Sequence, residues 1–236
     1  LELATKLAQS TLAACRAHSV GLARLSAERI QQELVKMLCA LAPCEAVTLM
    51  ASTGVLQLVV AEARNPGGLK KLAALELEAK RDGPDWRLRL AAILPTGVET
   101  DSLAANLKLA NADRDRLAAL TKPEPILDDQ TSPAHLRRAL YHLGGPLVID
   151  RVLLAWSRID EAASPAPWRA LLAAAAWAAK ALPVGGADVL ALGVRPGPAV
   201  GRLLAAAEEW WIGAGFEPAR DETLAHLRHL VSQYSD

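Results

Sequence analysis

Two pairs of acidic residues have the spacing of a two-metal site for phosphoryl chemistry. Such a site needs two carboxylates that hold divalent ions about 4 Å apart, and a β-strand points residues i and i+2 to the same side. Asp113 with Asp115, and Glu76 with Glu78, have this spacing. Both pairs fall within helical patterns, where residues i and i+2 lie about 200° apart around the axis. We therefore predict no metal site here and interpret Asp113 and Asp115 as solvated helix surface.

Glycine and histidine pairs offer no stronger chemistry. Gly144-Gly145 and Gly185-Gly186 follow no predicted strand, and neither a GxGxxG nor a GxxxxGK[ST] pattern occurs. Glycines without that context are better explained as helix punctuation than as a phosphate-binding loop. His226 and His229 share a helix face but lack a third ligand, so we interpret them as surface residues. We assign no catalytic residue, cofactor or metal ligand to this chain.

The composition indicates a helical protein that can bury a large core. The chain has 236 residues, 52% of them hydrophobic, with one Phe, two Tyr and six Trp. Leu, Ala and Val supply most of the apolar mass, and strand-forming residues are scarce. The longest apolar run, at 170–179, is shorter than the roughly 20 residues that a membrane helix needs. We predict an all-α fold with no membrane span.

The cysteines and the charge balance limit the possible function classes. Cys15, Cys39 and Cys44 form an odd set without CxxC spacing, which argues against a disulfide framework and favours a reducing cytoplasm. The net charge is zero, which by itself gives no support for nucleic-acid binding. Residues 185–236 hold four basic and seven acidic residues. Any RNA-binding surface must therefore be a local patch.

Hydrophobic periodicity predicts a series of helices separated by glycine and proline. They cover about 26–41, 46–54, 55–63, 69–80, 85–94, 101–120, 132–143 and 152–159, then an alanine-rich helix ending near Pro183, then about 188–192, 198–214 and 224–234. The loop at 121–130 is a candidate hinge. We predict an elongated multi-helix array with neck helices at 1–68, a helical body at 69–184 and a helical tail at 185–236.

A polar stretch near the start of the neck has a specific pattern. Residues 25–34 read LSAERIQQEL. Ser26 is placed to cap a helix whose first turn holds Glu28 and Arg29, and Glu33 lies one turn further on. We predict that these four residues form a clasp that fixes the angle between two helices.

A second stretch opens the tail. Residues 186–204 read GADVLALGVRPGPAVGRLL, which predicts a short helix, a turn, and a second helix. Gly197 and Gly201 leave the backbone open to close approach. The first N–H groups of a helix attract anions, and Arg195 and Arg202 flank this helix start.

The turn has two interpretations, and the sequence leaves both open. In the first, it binds RNA phosphates through Arg195, Arg202 and the open backbone. In the second, glycine and proline only make a tight corner, Gly201 lets a neighbouring helix come close, and the arginines are solvated. RNA binding would then fall to the body, where Arg137 and Arg138 are the next candidates.

Both stretches resemble one family. The LS-x-ERI-x-x-EL pattern at 25–34 resembles the neck of bacterial tRNA CCA-adding nucleotidyltransferases and their poly(A) polymerase relatives. The G-x-D-x-x-x-LG-x-x-PGP-x-x-GR-x-L pattern at 186–204 resembles the motif that opens their tail. Segments at 12–24, 49–56, 89–92 and 107–120 are also similar, in the family's order, so the resemblance spans nearly the whole chain.

The resemblance implies a C-terminal, all-α part that holds the acceptor arm and elbow of tRNA while an N-terminal head adds C, C and A. Family heads carry a GG-x-x-RD loop, a strand-borne D-x-D pair and an ED-x-x-R element, and this sequence has none of them. Mg²⁺ and CTP or ATP would belong to that head. The sequence starts at Leu1 without an initiator Met, so we expect a longer parent chain and no nucleotide addition by these residues alone.

Two other functions stay open. The chain can be a helical scaffold or interaction subunit that kept the fold and lost the chemistry. It can also be the same part of a poly(A) polymerase, because the residues that choose the nucleotide belong to the head. Detecting a head upstream in the parent gene would separate an enzyme part from a scaffold.

Overall fold

The computed structural model describes residues 13–14, 16–17, 19–64, 66–79, 81–160 and 162–234. Thirteen α-helices have described bounds, a 3₁₀ turn covers Ser19–Arg24, and no β-strand occurs among the described residues. The prediction of an all-α fold is confirmed. Cys39 and Cys44 are free thiols, whereas Cys15 lies outside the described residues.

The helices divide into two compact units. Unit 1 comprises the described residues of 1–131 and 145–175, and unit 2 those of 132–144 and 176–236. The helices of unit 1 are α1 (Ala27–Leu38), α2 (Pro43–Thr53), α3 (Val55–Val59), α4 (Gly67–Glu78), α5 (Trp86–Ile93), α6 (Thr100–Leu107), α7 (Asn111–Thr121), α9 (Gly145–Ser157) and α10 (Ala166–Ala174). Those of unit 2 are α8 (Pro133–Leu143), α11 (Gly186–Ala191), α12 (Pro198–Gly213) and α13 (Arg220–Tyr234). The division into neck, body and tail stays a prediction.

Side-chain caps and glycines set many of the helix ends. Ser26, Asp85 and Ser132 each accept a hydrogen bond from a backbone N–H two or three residues ahead, at the starts of α1, α5 and α8. Such a cap contributes about 1 kcal/mol. Gly54, with φ +78°, ends α2 in the left-handed conformation that glycine adopts most easily.

Several predicted helices differ from the observed ones, among them the helix predicted at 152–159, which spans Gly145–Ser157. The helix predicted at 101–120 is two helices, and Lys108, with φ +52°, turns the chain between α6 and α7. The alanine-rich helix α10 ends at Ala174 rather than near Pro183. No glycine or proline lies at either end point, so the residue types carried no signal for these breaks.

The core of unit 1 is built around α4, α5 and α9, which pack against one another. The fully buried side chains at its centre include Leu69, Leu72, Leu88, Val148 and Val152. Burial of one such side chain contributes about 1.5–3 kcal/mol. This apolar centre fixes the positions of the polar groups around it.

A buried arginine joins three helices of unit 1. Arg89 in α5 is only 6% exposed, and its Nε donates to Glu76 Oε2 in α4 at 2.7 Å. Its Nη1 donates to the carbonyl oxygens of Leu38 and Ala40, at 2.6 and 2.8 Å, where α1 ends. Carbonyls at a helix end lack intrahelical partners. Burial raises the pKa of Glu76, and the hydrogen bond and charge of Arg89 oppose that rise.

A second ionic cluster surrounds Asp150 in α9. Asp150 is 1% exposed and accepts hydrogen bonds from Arg81 Nη1, at 2.5 Å, and from Arg116.

A separate ion pair joins α5 to α7, where Arg87 Nε donates to Asp113 Oδ1 at 2.5 Å. The Asp113 side chain is only 14% exposed. Its interpretation as solvated surface is therefore wrong, because α5 packs against α7 and brings an arginine onto it.

Unit 2 has an apolar centre and an aromatic cluster. The apolar centre consists of Val184, Val189, Leu203, Ala207 and Leu227. The aromatic cluster, with Tyr141, Trp177, Trp211 and Phe216, contacts Ile212. Tyr141 comes from α8, so that helix contributes directly to the packing of the tail helices.

One carboxylate ties together the start of α11 and the start of α13 in unit 2. Asp188 Oδ2 accepts the backbone N–H of Gly185 at 2.8 Å, which caps α11. Arg220, the first residue of α13, donates to both oxygens of Asp188 and to the carbonyl oxygen of Pro183. The hydrogen bond from Arg220, followed by that from Gly185, lowers the pKa of Asp188.

The Arg89 contacts predict a large cost for their removal. We expect Arg89→Ala to lower the free energy of unfolding by about 3–5 kcal/mol, because it leaves a buried carboxylate without its partner. The measurement is urea unfolding followed by circular dichroism. Arg114→Ala is the matched control, because Arg114 pairs with its exposed neighbour Asp115, and we expect a change within about 0.5 kcal/mol. Equal costs for the two variants would contradict this role of Arg89.

The Asp188 contacts predict a specific pH dependence. Because the folded-state pKa is lower than the unfolded one, the stabilisation is present above about pH 4 and is lost as the pH falls through the folded pKa. Asp188→Asn should therefore be less stable than the parent at neutral pH, and the difference should shrink below about pH 4. Thermal unfolding across this range measures it, with the exposed Asp221→Asn as control. Parallel pH profiles for the parent and Asp188→Asn would refute the prediction.

Candidate nucleic-acid interface

The neck motif lies on the exposed surface at the start of α1. Ser26 Oγ accepts the backbone N–H of Arg29 at 3.4 Å, and the side chains of Glu28 and Arg29 are exposed. Glu33 pairs with Lys36 of the same helix at 2.8 Å, with both side chains at least 70% exposed. Among the described residues no contact joins these side chains into a clasp between helices. Their clasp role stays a prediction.

The same surface borders an apolar groove in unit 1. The groove has a volume of about 290 Å³, and Arg29 and Glu33 lie beside Ile30, Met37 and Met50 in its lining. The groove lining therefore combines apolar side chains with two exposed charged ones.

The tail turn is as open as the sequence suggests. Gly197 has φ +154° and precedes Pro198, and no side chain caps the N-terminus of α12. Arg195 and Arg202 are exposed. A β-carbon added at Gly197 or Gly201 would meet no described atom within 4 Å. The suggestion that Gly201 admits a neighbouring helix is therefore wrong for the described part of the chain.

Arg137 and Arg138, predicted as candidates in the body, lie on α8 in unit 2. Arg138 Nη2 donates to Glu209 Oε2 at 2.5 Å. One turn along α8, the Tyr141 hydroxyl donates to Glu208 Oε1 at 2.5 Å. Burial and this hydrogen bond raise the pKa of Tyr141 to about 12. Arg138 is thus engaged by a carboxylate, whereas Arg137 is half-buried on the same helix.

Because unit 2 includes α8 as well as the tail helices, its net charge differs from that of residues 185–236 alone. Residues 185–236 have an excess of acid, but 132–144 add two basic residues and 176–184 add one, without any acidic residue. Unit 2 therefore holds seven basic and seven acidic residues. Neutrality removes the long-range repulsion that an acidic tail would exert on RNA.

A basic cleft in unit 1 was not anticipated from the sequence. It has a volume of about 250 Å³, and Lys122, Arg151 and Arg158 line it. Arg151 and Arg158 are seven residues apart, or about two helical turns, which places them on one face of α9 and its C-terminal end. That spacing was a usable signal. Lys122 follows α7 and could not be paired with them without the tertiary structure.

The acidic pairs do not assemble a metal site in the described residues. Asp115 pairs with Arg114, and Glu78 pairs with Arg169. No cluster of three or more His, Cys, Asp or Glu residues that could hold a metal ion occurs in the described part of the chain. None of the described helices has the length and apolar character to span a membrane.

The neck region matches a known family model. The model is described as the probable RNA and SrmB-binding site of polymerase A, and it covers residues 6–64. This range includes α1, α2, α3 and the apolar groove beside the neck motif.

Three curated proteins are similar to this chain. The CCA-adding enzyme of Levilactobacillus brevis is 28% identical over 198 residues, which are 82% of this chain and 48% of that protein. The CCA-adding enzyme of Limosilactobacillus fermentum is 26% identical over 206 residues, 86% of this chain and 50% of that protein. An uncharacterized 28 kDa protein of Rhodospirillum rubrum is 43% identical over 81 residues, 31% of each chain.

The chain spans about half the length of the two CCA-adding enzymes that it matches. The neck and tail motifs, the all-helical fold and both long alignments agree with one another. The chain is thus similar to CCA-adding enzymes over more than four fifths of its length.

Proposed function

We propose that this chain is the RNA-holding, C-terminal part of a tRNA nucleotidyltransferase that adds CCA to tRNA 3′ ends. The observation that carries the proposal is the match of the neck to an RNA-binding family model, within alignments to two CCA-adding enzymes that cover more than four fifths of the chain. In this proposal the acceptor arm and elbow of tRNA bind here, in the cytoplasm. An N-terminal head supplies the nucleotide site and its Mg²⁺.

A neutral chain suits this task. Double-stranded RNA is recognised mostly by shape and by contacts to phosphates and 2′-hydroxyls, and a few well-placed cations are enough for such contacts. The carboxylates of unit 1 at positions 76, 113 and 150 are engaged by arginines. Because these carboxylates are paired within unit 1, they repel an approaching phosphate less than unpaired carboxylates would.

A second candidate is the same part of a poly(A) polymerase, because the description of the matched family names polymerase A. The two candidates differ in the RNA that the chain prefers. The test is competition measured by fluorescence anisotropy. It uses a tRNA transcript without its CCA end and an oligoadenylate of equal length, and each RNA serves once as the labelled ligand and once as the competitor. Stronger competition by the tRNA supports CCA addition, and stronger competition by the oligoadenylate supports poly(A) addition. Absence of RNA binding by the folded chain would leave the scaffold alternative and refute both.

The tail turn provides a test at the level of residues. We expect Arg195→Glu combined with Arg202→Glu to lower tRNA affinity several-fold and to make the salt dependence of binding shallower, because each lost phosphate contact reduces the slope by about one. The measurement is anisotropy at several salt concentrations. Arg228→Glu, an exposed change on α13, is the control, and it matches in charge each of the single variants Arg195→Glu and Arg202→Glu. An unchanged affinity with an unchanged melting temperature would assign this turn to architecture alone.

A further inference from the structure

The basic cleft of unit 1 is formed by the loop after α7 and the end of α9. Its lining includes Pro123, Pro125 and Ile126 of the loop, together with Arg151 and Arg158. Its volume of about 250 Å³ equals the liquid volume of roughly eight water molecules. The cleft therefore has room for a small charged group together with the sugar attached to it.

The two arginines are held firmly, and only by neutral oxygens. Arg151 donates to the carbonyl oxygens of Lys122, Glu124 and Pro125, at 2.7 to 2.8 Å. These bonds hold the loop in place. They use three of the five N–H groups of the guanidinium.

Arg158, which also lines the cleft, is bound in the same way. It donates to the hydroxyl of Thr96 at 2.6 Å and to the carbonyl oxygens of Ala91 and Leu94 at 2.9 and 3.0 Å. Carbonyl and hydroxyl oxygens leave the positive charge of a guanidinium uncompensated. Burial lowers the pKa of both arginines, yet an arginine remains charged at neutral pH.

The charge around the cleft is correspondingly positive. No acidic residue is among the residues that line it, and Lys122 adds an exposed third cation at the rim. The charge of Glu124, which is not in the lining, acts on Arg151. This contrasts with the other buried arginine of unit 1, Arg89, whose charge meets a carboxylate directly.

We propose that this cleft binds a backbone phosphate of the RNA, with Lys122, Arg151 and Arg158 as the cations that surround it. The proposal rests on the proposed RNA-holding function and adds a site in unit 1 that is separate from the tail turn. Two guanidiniums already held in place by hydrogen bonds lose little further side-chain entropy on binding an anion, which favours a charge-assisted bond to phosphate. Ile126, 59% exposed on the rim, offers apolar surface to the ribose.

Substitutions at two exposed residues at the rim should change tRNA affinity in opposite directions. Lys122→Glu reverses a cation of the cleft, whereas Glu124→Gln removes the acidic group beside it, and both side chains are exposed. We expect Lys122→Glu to weaken binding of a tRNA transcript several-fold and to reduce the salt slope by about one. Glu124→Gln should strengthen binding. Lys108→Glu, an exposed lysine of the same unit outside the cleft, is the control and should change affinity less than Lys122→Glu.

The measurement is fluorescence anisotropy with labelled tRNA, on variants whose melting temperature and circular dichroism match those of the parent. Opposite shifts for Lys122→Glu and Glu124→Gln, with a smaller shift for Lys108→Glu, support the cleft. If the parent binds tRNA and the two rim variants shift affinity no more than the control, the cleft proposal is wrong and the RNA-holding function stands. If the parent does not bind tRNA, the proposed function fails and this proposal fails with it.

Discussion

The structure of unit 1 depends on one buried guanidinium. Arg89 satisfies carbonyls where α1 ends and neutralises Glu76 of α4, so α1, α4 and α5 share one polar contact. The other oxygen of Glu76, Oε1, has no described hydrogen-bond partner. A group so buried tolerates its charge only while Arg89 stays in place. The position of α1 is therefore fixed by a contact that is itself buried.

Local residue types predicted the parts of the fold that are determined locally. Ser26, Ser132 and Gly54 set helix ends by capping or by a left-handed conformation, and the sequence indicates each of them. The break at Lys108 could not be predicted, because a lysine carries no preference for the left-handed region that it occupies. The end of α10 at Ala174 falls within a run of alanines, where only tertiary contacts can stop a helix.

The candidate site was predictable to a similar extent. The open turn at Gly197 follows from glycine and proline, which act through the local backbone. The grouping of α8 with the tail depends on contacts of Arg138 and Tyr141 with residues about seventy positions later, and no local pattern carries that information. For the same reason the acid excess of residues 185–236 does not represent the charge of unit 2, which is balanced.

The distribution of partners among the arginines separates architecture from binding. Arg81, Arg87 and Arg89 each meet a carboxylate, so their charges are cancelled within the scaffold. Arg151 and Arg158 donate only to neutral oxygens among their described hydrogen bonds. No contacting carboxylate therefore offsets the free-energy cost of desolvating their charges. Retaining an uncompensated charge in a half-buried position is unfavourable for folding alone. It becomes favourable when an anion completes the site, which is the physical reason to look for the RNA backbone there rather than among the more numerous paired arginines.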